Sequence, residues 1–121
     1  MFRIDADKTI HLTRGDTAQF TLSLKNGVSF AKGDIVRVKI FKKKACESVF
    51  LCKEFPISED ALTVDIDLAS VETKLGEIIE KPKDFWYEIE LDHGGVVSTI
   101  IGYDEGGAKV LKLYPEGGDV Q

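Results

Sequence analysis

The sequence predicts an all-β fold, an antiparallel two-sheet sandwich of about eight strands. Three observations carry that expectation: apolar residues recur at alternate positions, turn-forming residues interrupt them roughly every ten residues, and no long amphipathic stretch offers a crossover helix. The clearest instance is Asp84 to Tyr103. Phe85, Tyr87, Ile89 and Leu91 alternate with Trp86, Glu88, Glu90 and Asp92, which puts the apolar set on one face of an extended strand. Asp92-His93-Gly94-Gly95 then supplies a turn, because Gly94 and Gly95 can take positive φ without a steric penalty, and the β-branched run from Val96 to Tyr103 returns. A lone hairpin is marginal in water, so this pair requires a sheet around it and a second layer over its apolar face.

The other elements follow in order. Residues 1–8 read as an N-terminal arm. Ile10 and Leu12 alternate with Thr9, His11 and Thr13 until Arg14-Gly15-Asp16 breaks the strand with a turn. Ala18, Phe20, Leu22 and Leu24 then alternate with polar residues as the cleanest half-buried strand in the chain, ended by Asn26-Gly27. The Lys32-Gly33-Asp34 punctuation launches Ile35 to Lys42, with Val36, Val38 and Ile40 on one face. Val49 to Pro56 is a shorter strand, and Pro56 ends it or sets it at an edge because proline cannot donate to a ladder. Leu62, Val64, Ile66 and Leu68 mark a further one-sided strand.

In Ala69 to Lys81 the period changes: Val71, Leu75, Ile78 and Ile79 approach a helical stripe, interrupted by Gly76, and predict a turn or two of helix near 69–81. Ala108 to Tyr114 forms the last strand. The domain therefore spans residues 9–114, and the glycine-rich 115–121 reads as a flexible tail.

Composition narrows the function. A chain of 121 residues, 43% apolar, has the size of one domain with a real core. A net charge of −5 argues against a general grip on nucleic acid phosphates or anionic lipid, both of which need excess lysine and arginine. The basic run Lys42-Lys43-Lys44 reads as a solvated strand end. Cys46 and Cys52 fit neither a zinc pair nor a disulfide framework, and suggest reduced thiols. MFRIDADKTI lacks a signal-peptide pattern, and no apolar run approaches the ~20 residues of a membrane span. These features predict synthesis in the cytoplasm.

Candidate chemistry is sparse. Arg14-Gly15-Asp16 matches an adhesive tripeptide but reads as turn chemistry, with Asp16 satisfying backbone donors. Asp65 and Asp67 share a strand face without the further oxygen ligands calcium requires. His11 and His93 stand without the partners that zinc or a nucleophilic triad would need. No phosphate loop is present, so the sequence predicts no metal, no cofactor and no enzyme. Trp86 is the exception of interest. It falls opposite the apolar face of its strand, so it is either an aromatic anchor for a protein or carbohydrate or is covered by the 69–81 segment. Phe41, Phe50 and Tyr103 pose the same question.

The stretches IHLTRGDTAQFTLSL, GDIVRVKIFK, DFWYEIEL and TIIGYDEGGAKVLKLYPEGGD carry a family resemblance. In strand layout the chain resembles small structural proteins of phages and prophages of Gram-positive bacteria, and is similar to the immunoglobulin-like N-terminal domain of baseplate upper proteins. The resemblance implies an immunoglobulin-like sandwich in a virion, tail or baseplate component that oligomerises and docks on other phage structural proteins. Two other readings stand beside it: a carbohydrate-binding module stacking sugars on Trp86 and Tyr103, and a hydrolase accessory domain with a metal on Asp65 and Asp67.

Overall fold

A computed structural model describes residues 1–44, 49–105 and 107–116. The organising element is a long strand, β7 (Lys83–His93), and the alternation of its sequence decides which way everything else faces. Phe85, Tyr87 and Ile89 are 1–2% exposed on one face. Burial of each such side chain contributes about 2 kcal/mol, which is why the neighbouring strands gather on this element.

One edge of β7 pairs antiparallel with β4 (Ile35–Phe41) over Trp86–Asp92. Its other edge is divided. The first half, Lys83–Tyr87, pairs with β9 (Lys109–Tyr114), and the second half, Ile89–His93, pairs with β8 (Val96–Ile101). The β7–β8 turn is closed by Gly94 at φ 57° and Gly95 at φ 92°, the mirror-image turn geometry that matches strand twist. Outside this centre lie β5 (Val49–Pro56) on β4, β2 (Ile10–Thr13) on β9, and β1 (Phe2–Ile4) on β2. The order β1-β2-β9-β7-β4-β5, with β8 on β7, makes a seven-stranded sheet. The second layer is a two-stranded sheet of β3 (Ala18–Ser23) and β6 (Thr63–Leu68).

The all-β sandwich expected from the sequence is the fold observed. Four particulars differ from expectation. The β2–β9 pair is parallel, in register Ile10 with Leu111 and Leu12 with Leu113, within an otherwise antiparallel arrangement. Residues 1–8 are not a free arm, since β1 pairs with β2 and Phe2 stacks on Phe20 with ring centroids 6.0 Å apart. Nine strands are present among the described residues, one more than anticipated.

The 69–81 segment holds no helix; it is a single turn in which the Glu72 and Thr73 N–H groups donate to Ala69 O. The reason is anchoring. Thr73, fully buried, accepts from Gly15 N at 3.0 Å and donates toward Asp16 O at 2.8 Å, while Leu75 enters the core at 2% exposure. Those contacts fix the segment as an irregular cap, with Gly76 at φ 74° next to Phe50. The one helical element among the described residues is a 3-10 turn at Lys25–Gly27. Cys46, Gly106 and residues 117–121 of the expected tail lie outside the described residues.

The core fills the space between layers. Val36, Val38 and Ile40 of β4, Leu111 and Leu113 of β9, and Ile10 and Leu12 of β2 face Ala18, Leu22, Ile66 and Leu68 of the small sheet. Two strands cannot roof seven, and the shortfall is what shapes the molecule's surface.

Candidate docking groove

A groove of about 580 Å³ lies between the free edge of β3 and strand β8. Its base is formed by Tyr87 and Ile89 of β7, both buried, and by half-buried Leu91, and its walls are Phe20 and Leu22 of β3, with Leu24 beyond, against Ile100 and Ile101 of β8. The same alternation that builds the core therefore continues past it into the open. Ile4 and Lys8 line the end near Tyr87, where the Tyr87 hydroxyl donates to Lys8 O. Burial holds that phenol well above its ordinary pKa, so it remains a neutral donor. Leu24 and Lys25 line the end toward Leu91.

Two strand edges border this groove. Among the described residues β3 pairs only with β6 and β8 only with β7, so each leaves one backbone edge without a ladder partner. The sequence of β3, AQFTLS, carries neither charge nor proline. Edge strands are normally blunted by such residues, and this one is not.

The outer face of the large sheet has a different character. Arg37 donates to Glu54 at 2.7 Å, Glu90 at 3.3 Å and Asp92 at 3.0 Å, and Lys39 pairs with the same Glu90, which is 7% exposed. The Arg37 hydrogen bond, followed by the Gly95 N–H, holds the Asp92 carboxyl below its usual range. Opposite charges placed directly across strands satisfy one another and leave little for a ligand.

Trp86 lies beyond this ladder on the outer face, in register with Phe41 on one side and Val110 on the other. It is half-buried by its strand neighbours; the 69–81 segment packs on the inner side, against Phe50 and the core. Phe41 is 3% exposed and so underlies this patch without presenting a surface, contrary to its expected role in contact. Tyr103 is 73% exposed. The preceding residue, Gly102, lies next to Glu88 of β7.

The remaining sequence candidates are internally engaged. Arg14 is 9% exposed, donating to Glu116 at 2.7 Å and to Gly76 O at 3.1 Å, so the Arg14-Gly15-Asp16 turn does not project its guanidinium. Asp16 meets the amino terminus of Met1. Asp34, beside Gly33 at φ 93°, accepts from Ala31 N at 2.9 Å and faces His93 Nδ1. Asp65 accepts from Thr21 at 3.1 Å, and Asp67 takes Lys53 at 3.4 Å.

His11, expected to stand alone, bridges Tyr114 at 2.8 Å and Asp5 at 2.7 Å; this Asp-His-Tyr line spans the whole chain and left no local signal in the sequence. No group of three or more potential metal ligands occurs among the described residues, and no helix there is long and apolar enough to cross a membrane. The groove was likewise missed by sequence reasoning. Its signal was a charge-free alternating strand, legible in β3 but not distinguishable from a covered one.

No protein-family model, curated protein or solved structure matches the chain.

Proposed function

We propose that this protein is a non-enzymatic structural component of a phage or prophage particle, of tail or baseplate type, that acts by oligomerising and docking on neighbouring structural proteins. The observation that carries the reading is the apolar groove of about 580 Å³ beside an unguarded strand edge. An apolar groove beside a strand edge that is neither charged nor paired is suited to strand-mediated docking. The resemblance of the strand-forming stretches to phage structural proteins suggests the setting, and a virion would be the corresponding location. The polar groups expected of a reaction site are here committed to turns and ion pairs.

The test is a light-scattering mass, measured on the purified protein and again after co-expression with the products of adjacent genes. The expected result is a mass above the 13.4 kDa of one chain in at least one preparation, with discrete particles by electron microscopy. A strict monomer in both would overturn the reading.

A second reading is supported by the exposure of Tyr103 and the partial exposure of Trp86: a carbohydrate-stacking surface. It predicts a tryptophan fluorescence change with cell-wall glycans that Trp86→Ala removes. Unchanged emission at saturating glycan would dispose of it.

A further inference from the structure

We infer that the groove receives an extended segment of a partner chain, added as a strand along the free edge of β3, with apolar residues at alternate positions and an acidic residue at each end. The inference rests on the docking function proposed above and names the occupant of that site.

Three observations converge. First, β3 runs six residues, Ala18–Ser23, with one edge taken by β6 and the other open to the groove, so a ladder can continue there without moving the fold. Strand addition of this kind gains affinity from main-chain hydrogen bonds and specificity from pockets for alternate side chains. Second, the surface beneath that edge is apolar. Side chains pointing inward from an added strand land on half-buried Leu91, Ile100 and Ile101, while those pointing outward join Gln19, Thr21 and Ser23.

Third, the charged residues lining the groove are Lys8 and Lys25 alone, and they stand at opposite ends: Lys8 beside Tyr87, Lys25 beyond Leu24. Neither ammonium has an ion-pair partner among the described residues. From Phe20 to Lys25 an extended chain covers roughly 17 Å, so a segment of about six residues follows the open edge from Phe20 to Lys25. A fatty acid would satisfy the floor and one lysine. It would leave both the second lysine and the β3 backbone unmet, which is why a peptide is favoured.

The experiment titrates full-length protein with acetyl-Asp-Val-Thr-Val-Thr-Val-Asp-amide, following backbone amide NMR shifts, alongside three other probes. These are a peptide with lysine at both ends, a peptide with proline replacing the central valine, and dodecanoate. The expected result is saturable binding of the acidic peptide, with shifts concentrated in the groove-lining parts of β3, β7 and β8 and new protection of outward-facing β3 amides. The proline and lysine peptides should each bind about tenfold more weakly or not at all.

Lys25→Glu, an exposed change beyond the strand, should narrow or reverse the preference between acidic and lysine peptides. Leu24→Arg should abolish binding with the remaining spectrum intact. Equal binding of the proline peptide, indifference to end charge, preferential uptake of dodecanoate, or no saturation at millimolar peptide would each overturn the inference. If the protein assembles by light scattering but binds no peptide, the strand inference fails while the docking function stands. Saturable peptide binding by a protein that never assembles would support strand addition and remove the assembly function.

Discussion

Asp34 is 3% exposed, and its carboxylate holds the turn that launches β4. The Ala31 N–H, with His93 in support, keeps its pKa below the ordinary range despite burial. Asp92 and Glu72 are lowered too, by Arg37 and by Lys53 respectively. A carboxyl with a depressed native pKa adds stability that is complete above its unfolded pKa and is lost as pH falls through the native one. The melting temperature should therefore be level from neutral pH down to about 5 and fall below about 4.

Asp34→Asn should flatten that acid limb and cost about 2 kcal/mol at neutral pH in denaturant melts. An unchanged acid limb would mean that folding does not lower the pKa of this carboxyl. Gly15 offers a second test at this scale. At φ 88°, with Glu116 Oε1 3.1 Å from where a Cβ would sit, Gly15→Ala should destabilise by about 1–2 kcal/mol. The sequence disclosed these turn residues because glycine and aspartate act locally. It did not disclose that Asp34 faces His93 or that His11 joins Asp5 to Tyr114, since those partners meet only through the sheet.

Among the elements, β7 was the most legible, because strict alternation over a long strand admits one face assignment. Tyr87→Ala should cost roughly 3–4 kcal/mol, the penalty for emptying a filled core site. Phe20→Ala should cost about half as much, since Phe20 is half-buried and already borders the groove. Equal losses would indicate that the groove closes in solution. The 69–81 segment was misread for a physical reason. Its apolar spacing suited a helix, but Thr73 and Leu75 are fixed by the Gly15 turn and by the core, and such tertiary anchors override weak helical preference. Strand β1 was missed because three residues are too few to display a period.

At the level of the whole molecule, alternation established two layers but not how the strands divide between them. Seven strands in one sheet and two in the other cannot be read from periodicity, because each strand shows the same one-sided pattern whichever layer it joins. Nor could the parallel β2–β9 pair, which depends on distant parts of the chain meeting. That unequal division is the source of the groove and of the open β3 edge, and the proposed docking function depends on it. Native-state amide hydrogen exchange on the isolated protein tests it most directly. Alternate amides of β3, those turned away from β6, should exchange orders of magnitude faster than the amides of β4 and central β7. Uniform protection of β3, equal to that of β4, would show that its edge is already covered and would contradict the account.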